Sequence, residues 1–225
     1  MTSLAGLRAL ITHADAFMGP ALCEVFAERG AVVVPGADRL ADAAAVRAVV
    51  AEAGRIDILV VNLAQPAPST PAADVSDEEW SRVFAALVDP LPRFARAVLP
   101  QMIERRSGKI LVMGSAAALR GMKRASTYSA ARGAQLAWVQ AVGVEVAAHN
   151  VQVNAIAQHF VDNPTYFPPD VQANPRFQER LQREVPLGRL VSAREDAAFA
   201  AYLCSREADC FVGQVFPVAG GWVSR

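Results

Sequence analysis

Apolar and polar positions follow two repeating patterns along the chain, short uninterrupted apolar runs and longer segments with helical period. The apolar runs predict strands at residues 7–12, 31–35, 57–62, 109–114, 151–156 and 214–218. The segments between them predict helices at residues 21–29, 42–52, 76–106, 127–149 and 193–205. Pro90 and Pro92 are expected to kink the third helix, and residues 157–174 are predicted as a long irregular loop. Strands that alternate with helices are typical of a parallel, doubly wound α/β sheet.

Composition favours one domain with a well-buried core. The chain has 225 residues, of which 53% are hydrophobic and 20% charged, and we find no linker or repeat, so we predict one domain over residues 1–225. Basic and acidic residues are equal in number, which argues against nucleic-acid binding. No apolar run reaches the roughly 18 residues of a membrane span, and the N-terminus lacks a signal-peptide pattern. With three cysteines at no metal-ligand spacing, we expect a cytoplasmic protein with no metal site and no membrane contact.

A serine, a tyrosine and an arginine lie where one active site could use all three. Tyr128 and Arg132 are four residues apart, which places them on one face of the predicted helix. Ser115 follows the predicted strand at residues 109–114, and open α/β sheets bind ligands at the carboxyl ends of their strands. We therefore predict Ser115, Tyr128 and Arg132 as the catalytic residues.

Several segments resemble the short-chain dehydrogenase/reductase superfamily. The resemblance is carried by GRIDILVVN, by the Ser115/Tyr128 pair, by VQVNAIA, and by PLGRL with GQVFPVAGGW near the end. It implies a single Rossmann-like, doubly wound parallel sheet flanked by helices. It also implies an active-site serine and a Tyr-x-x-x-Lys motif, in which Arg132 here replaces the lysine.

The chain departs from that superfamily where the nucleotide cofactor would bind. The phosphate-binding turn has His13 and Phe17 in place of two glycines, and Asp15 adds a negative charge. The link from the second strand to Asp38 is too short for the segment that holds the adenosine ribose. We therefore interpret Asp38 as a structural or solvated carboxylate and predict no cofactor.

Two further contacts of the superfamily are also changed. The asparagine of the family's proton relay aligns with Leu87, and the Pro-Gly pair that touches the nicotinamide aligns with Gln158 and His159. Because Ser115 and Tyr128 remain, we interpret the whole set as loss of the cofactor with retention of the site.

This combination resembles the halohydrin dehalogenases, through the stretches GSAAALRG, STYSAAR and AIAQHF and the aromatic residue in the former glycine turn. The resemblance implies a cofactor-independent carbon–halogen lyase. Such an enzyme converts vicinal haloalcohols to epoxides with release of halide and a proton, and opens epoxides with azide, cyanide or nitrite. Tyr128 would act as the general base, Arg132 would lower its pKa, and Ser115 would orient the substrate oxygen.

The same resemblance implies a halide site in the former nicotinamide region. We expect backbone N–H groups near Phe160 and Val161 and aromatic ring edges to surround the anion. The predicted halide-binding residues are Phe17, Gln158, His159, Phe160, Val161 and Phe167. His159 is interpreted mainly as a residue that shapes the loop, and Trp222 as a candidate for the wall of the substrate pocket.

Two alternatives remain open from the sequence. One is an NAD(P)-dependent short-chain reductase, and the other is a non-catalytic ligand-sensing or scaffolding protein on the same fold. The long predicted helices at residues 76–106 and 127–149 form subunit contacts in the superfamily. The resemblance therefore implies a homotetramer, with Trp80 and Trp138 in an interface or in the core.

Overall fold

A computed structural model of the chain describes residues 3–36, 42–63 and 65–223. Asp38, whose role the sequence left as structural or solvated, lies outside these residues. The described strands are β1 (Arg8–Ile11), β2 (Val32–Pro35), β3 (Ile58–Asn62), β4 (Gly108–Ser115), β5 (Val151–Gln158) and β6 (Val215–Val218). The described helices are α1 (Gly19–Glu28), α2 (Ala43–Ala53), α3 (Asp77–Leu87), α4 (Pro90–Arg105), α5 (Ser126–Val146), α6 (Pro169–Gln172), α7 (Pro175–Glu184) and α8 (Ala193–Leu203).

The strands form one parallel sheet in the order β2-β1-β3-β4-β5-β6. Side chains alternate across it, so Leu59 and Val61 join the apolar core beneath α2–α5. Ile58 and Val60 join the second core beneath α1 and α8. This alternation explains why the strands are apolar throughout, since both faces of the sheet are covered by helices. The predicted Rossmann-like, doubly wound fold is confirmed.

The predicted helix at residues 76–106 is two helices, not one kinked helix. Proline lacks a backbone N–H, and its ring clashes with the carbonyl four residues earlier, so α3 ends at Leu87. Pro90 is the first residue of α4, where a missing N–H costs nothing. The break leaves the Leu87 carbonyl available to a side chain of the active-site region.

The predicted loop at residues 157–174 is partly ordered. β5 continues to Gln158, and α6 and α7 cover the carboxyl end of the sheet. Asn174 caps α7 by accepting a hydrogen bond from the Arg176 N–H at 2.9 Å, and Pro175 follows at the first helical position. Few positions of α7 are apolar, so the helix has no clear hydrophobic period. Its sequence signal is the capping pair of Asn174 and Pro175. Within the described residues, no helix is both long and apolar enough to cross a membrane.

Candidate active site

Tyr128 lies in the first turn of α5, and Arg132 follows one turn later on the same face. The Arg132 side chain is fully buried, and its guanidinium carbon lies 5.1 Å from the centroid of the Tyr128 ring. Its N–H groups donate to the Met113 carbonyl at 3.1 Å, the Leu63 carbonyl at 3.1 Å and Gln135 Oε1 at 3.0 Å. All three acceptors are neutral. They orient the guanidinium, but they supply no formal negative charge.

The Tyr128 hydroxyl therefore sits beside a buried cation. Burial by itself would raise the pKa of Tyr128, but the Arg132 charge and hydrogen bonding with Tyr166, Ser115 and Arg132 outweigh it. The pKa of Tyr128 consequently lies below its usual value. The pKa of Arg132 lies above its usual value, because its attraction to the Tyr128 and Tyr166 oxygens outweighs the effect of burial.

Ser115 is the last residue of β4 and is buried. Its Oγ accepts a hydrogen bond from the Ala117 N–H at 3.2 Å, and its hydroxyl is hydrogen-bonded to Tyr128. Ser115 lies opposite Gln158 in the parallel register of β4 and β5. The structure thus brings together the three residues that the sequence selected as catalytic.

A second tyrosine, which the sequence did not reveal, completes the cluster. The Tyr166 hydroxyl donates to the Gln65 carbonyl at 2.9 Å and is hydrogen-bonded to Tyr128 and Arg132. Burial, followed by repulsion from the Tyr128 oxygen, raises the pKa of Tyr166. Tyr128 is therefore the tyrosine that ionises first. No local pattern identifies Tyr166, because its role depends on a fold-back of the segment after β5.

Gln135 is another residue of the site that the sequence did not reveal. It is fully buried, accepts from Arg132, and donates through Nε2 to the Leu87 carbonyl at 2.6 Å. It therefore connects Arg132 to the break between α3 and α4. Its spacing from Arg132 on α5 would have been the only sequence signal.

Tyr128 and Ser115 open into a cleft of about 200 Å³ at the carboxyl ends of β4 and β5. The residues predicted to bind halide all line this cleft: Phe17, Gln158, His159, Phe160, Val161 and Phe167. Met122 and Tyr166 add to its wall, and Arg180 of α7 is a charged lining residue that the sequence did not indicate. The Arg180 guanidinium lies 5.3 Å from the Phe160 ring centroid and pairs with Glu184 at 3.1 Å.

Two of the lining residues have unusual backbone angles. Phe17 has φ of 56° and Phe160 has φ of 52°, in the left-handed region that bulky side chains seldom adopt. The Phe17 ring meets the Tyr166 ring edge-on, with centroids 5.2 Å apart. Strain of this kind persists where surrounding contacts impose it, and it is concentrated at functional sites.

The polar members of the predicted halide set are less available than expected. One amide hydrogen of Gln158 is donated to Asp196 at 2.6 Å. Burial, and then the charge of Arg180, lower the pKa of His159 to about 4, so its ring is neutral at pH 7. The ring stacks on Trp222 with centroids 3.9 Å apart, which agrees with a role in shaping the loop.

Trp222 does not line the cleft, contrary to the interpretation from sequence. It lies behind His159 and Phe160, with the Arg120 guanidinium 4.6 Å from its ring centroid. The reason is that His159 occupies the position between the indole and the cleft. Trp222 therefore supports the wall and does not form it.

Large side chains replace two of the expected glycines in the turn after β1. Asn62 donates from Nδ2 to the His13 carbonyl at 3.1 Å and the Ala16 carbonyl at 3.2 Å, and so holds the turn against β3. Gly19 is required, because a Cβ there would lie 2.2 Å from the His13 carbonyl oxygen. His13, like Phe17, has positive φ. Two positions where the superfamily has glycine therefore keep backbone angles that favour glycine, although they carry large side chains.

Comparisons with known proteins give a consistent picture of relatedness. A family model described as enoyl-(acyl carrier protein) reductase matches residues 37–223. The 3-oxoacyl-(acyl-carrier-protein) reductase FabG of Vibrio cholerae serotype O1 is 30% identical over 244 residues, covering 97% of this chain and 98% of its own.

Two solved structures are similar over nearly all of both chains. One, described as a dehalogenation enzyme, is 31% identical with a TM-score of 0.90 and covers 98% of this chain and 99% of its own. The other is an L-sorbose reductase from Gluconobacter frateurii complexed with NADPH and L-sorbose. It is 25% identical with a TM-score of 0.90 and covers 100% of this chain and 99% of its own.

Proposed function

Because the chain belongs to the short-chain dehydrogenase/reductase family, we propose that it is an enzyme acting on the hydroxyl or carbonyl oxygen of a small, mainly apolar substrate. Tyr128 is the acid–base group that takes a proton from this oxygen or gives one to it. Ser115 donates a hydrogen bond that holds the oxygen in place. Arg132 is a positioning residue that sets the charge of Tyr128.

The enzyme class expected from the sequence requires correction. A carbon–halogen lyase was predicted, but the relatives include the reductase FabG and an L-sorbose reductase solved with NADPH. These relatives point to an oxidoreductase. The comparisons with these relatives therefore show that the lyase assignment is wrong, although one structural neighbour is described as a dehalogenation enzyme.

The observation that carries the proposal is the buried Tyr128–Arg132 pair. A guanidinium removed from water is costly unless a negative charge compensates it, and the acceptors at Met113, Leu63 and Gln135 are neutral. The Tyr128 phenolate supplies that charge next to the cleft. Arginine stays protonated when buried, so the pair lowers the pKa of Tyr128 and favours its phenolate form. A general base with a pKa near the working pH contributes about 10²–10⁴-fold to a rate.

The lining of the cleft supports a small and mainly apolar substrate. Most of its surface is apolar, and its large apolar lining residues are Phe17, Met122, Phe160, Val161 and Phe167. Ser115 and Tyr128 are the lining residues whose hydroxyl groups are hydrogen-bonded to each other and can hold a substrate oxygen. Such an arrangement, an apolar wall with a few placed polar groups, orients a ligand by its single oxygen.

The family implies a nicotinamide dinucleotide, and the residues of this chain do not fit one in the family's usual pose. In that pose the backbone of the glycine turn approaches the pyrophosphate, and the cofactor continues from there towards the active-site tyrosine. Here the Phe17 and Tyr166 rings contact each other along that path, and the Tyr166 hydroxyl already bonds to Tyr128 and Arg132. Asp15 is exposed in the same turn and would repel phosphate. We therefore derive no hydride-transfer step.

The inner end of the cleft is the proposed site for a small anion. The left-handed residue Phe160 turns the backbone after β5, and successive N–H groups in such a turn form anion-binding concavities. Phe17, Val161 and Phe167 enclose this end, while Gln158 and His159 shape it. Occupation by halide stays a prediction of the sequence.

Turnover by the wild type and the Tyr128→Phe variant tests the proposal. With NAD(H) or NADP(H) added as the electron donor or acceptor, we expect the wild type to convert at least one substrate among small ketones, aldehydes and the corresponding alcohols. Tyr128→Phe should lower kcat by about 10²–10⁴-fold, because the ring shape is kept while the acid–base group is lost. Tyr202→Phe is the matched control, since Tyr202 packs among Phe199 and Phe211 away from the cleft, and it should keep the wild-type rate.

The assay arms separate the possible failures. Turnover in Tyr128→Phe within about threefold of the wild type would contradict the role of Tyr128. Turnover with added NAD(H) or NADP(H) would mean that the nucleotide binds in another pose, because the Phe17 and Tyr166 rings are in contact on its usual path. No turnover with either nucleotide would contradict the oxidoreductase class. Halide release from haloalcohols without any nucleotide would contradict the oxidoreductase class to which the relatives point.

A further inference from the structure

Asp196 is a buried carboxyl group that the proposed chemistry does not use. It lies in α8 with no exposed surface, and Asp196 Oδ2 accepts a hydrogen bond from Gln158 Nε2 at 2.6 Å. Gln158 is the last residue of β5, opposite Ser115 in the register, and it lines the cleft. The carboxyl group therefore contacts the site through one residue.

Two oxygen atoms of this pair have no hydrogen-bond partner in the described part of the chain. They are Asp196 Oδ1 and Gln158 Oε1, and each exposes less than 1 Å². A ligand in the cleft cannot reach atoms that are covered in this way. Buried polar atoms are nearly always hydrogen-bonded. The two oxygen atoms must therefore find their hydrogen bond with each other.

We propose that Asp196 keeps its proton at mildly acidic pH and donates it to Gln158 Oε1, so that acid and amide exchange two hydrogen bonds. One proton then satisfies both oxygen atoms. Asp196 is a positioning residue, because it acts on the cleft only by fixing the Gln158 side chain beside Ser115. The neutral pair also removes a negative charge from beneath a site in which Tyr128 must ionise.

The surroundings of Asp196 support a neutral carboxyl. Burial raises the pKa of Asp196 to about 7, and only the hydrogen bond from Gln158 acts against it. The charged groups of the neighbouring α1, Glu24 and Glu28, pair with Arg194 on the exposed side of the contact. Arg206 and Glu207, in the turn after α8, are exposed, and His159 next to Gln158 is neutral at pH 7. Among the described residues, no cation offsets the charge of an ionised Asp196.

Carbon-13 NMR of the protein labelled at aspartate side-chain carboxyls tests the protonation directly. We expect one resonance to stay in the protonated range at pH 6 and to titrate near pH 7. It should be absent from Asp196→Asn, whose amide can exchange the same two hydrogen bonds with Gln158. Asp74→Asn, which changes an exposed carboxyl, is the control and should leave the Asp196 resonance in place.

Thermal unfolding provides the second readout. A carboxyl whose pKa is raised by folding contributes stability that is complete below the unfolded pKa and lost as pH rises through the folded pKa. The Tm of the wild type should therefore fall relative to Asp196→Asn between pH 4 and pH 8. His159 titrates with the opposite sign over part of this range, but it is present in both proteins, so the difference isolates Asp196.

Hydrogen exchange of the Gln158 side-chain amide tests the positioning role. Exchange should be slow in the wild type and in Asp196→Asn, and at least tenfold faster in Asp196→Leu, which removes the partner. A wild-type spectrum in which every aspartate is ionised at pH 6 would overturn the proposal, and it requires no variant to fold. A pH-independent Tm difference between wild type and Asp196→Asn would also overturn it.

Discussion

At the scale of single residues, the site depends on how one buried arginine is compensated. Arg132 is held by carbonyl and amide oxygens, and the ionisable groups that attract it are Tyr128 and Tyr166. The four-residue spacing of Tyr128 and Arg132 was visible in the sequence because neighbours on a helix are set locally. The acceptors from Met113, Leu63 and Gln135 were not visible, since they come from β4, from the end of β3 and from a position chosen by packing.

The substitution Arg132→Lys should move the proton chemistry to higher pH. Lysine offers fewer directed donors to the three acceptors and loses its proton more readily when buried. The pKa of Tyr128 should therefore rise, and both the phenolate absorbance and the acid limb of the pH–rate profile should shift upward by at least about one unit. The exposed Arg206→Lys serves as the control and should leave both curves unchanged. An unshifted phenolate titration in Arg132→Lys would show that Arg132 does not set the charge of Tyr128.

At the scale of elements, α5 places the site by packing closely against the end of the sheet. Gly143 allows this approach, because a Cβ there would lie 2.6 Å from the Gly213 backbone and 3.0 Å from the Val153 carbonyl oxygen. Gly133 lies on the same helix, and a Cβ there would meet nothing within 4 Å. Both glycines are helical, but only Gly143 lies where an added methyl group would clash with neighbouring backbone atoms.

This pair makes a matched test of the packing of α5. Gly143→Ala should lower the free energy of unfolding by roughly 1–3 kcal/mol, because backbone atoms cannot rotate away from the added methyl group. Gly133→Ala should raise it by up to about 1 kcal/mol through helix propensity alone. Chemical denaturation of both variants measures the two values. Equal effects would mean that the α5–sheet contact is looser than the structure shows.

At the scale of the whole molecule, α3 and α5 present apolar side chains to solvent. Trp80 is 44% exposed and stacks on Phe84 with ring centroids 4.6 Å apart, and Val144 of α5 is 72% exposed. The tetramer expected from sequence would cover these faces, which supports that prediction without testing it. The cytoplasmic location also stays a prediction.

Light scattering of the purified protein tests the tetramer. We expect the wild type to have the mass of four chains, and Trp80→Glu to shift it to smaller species by placing a charge in the interface. Val32→Glu is the control, because Val32 is 47% exposed on the edge strand β2, away from α3 and α5. A monomeric wild type would contradict the prediction, as would dissociation by both variants alike.

The sequence by itself determined the fold class, the order of strands and helices along the chain, and the Ser115–Tyr128–Arg132 set. These rest on apolar period and short spacing, which are local properties of the chain. Tertiary structure decided the split of α3 from α4 at Pro90, the place of Trp222 behind His159, and the roles of Tyr166 and Gln135. It also decided the Gln158–Asp196 contact, which joins residues 38 positions apart. Such contacts depend on how distant segments pack, and packing leaves no periodic signal in the residues that take part.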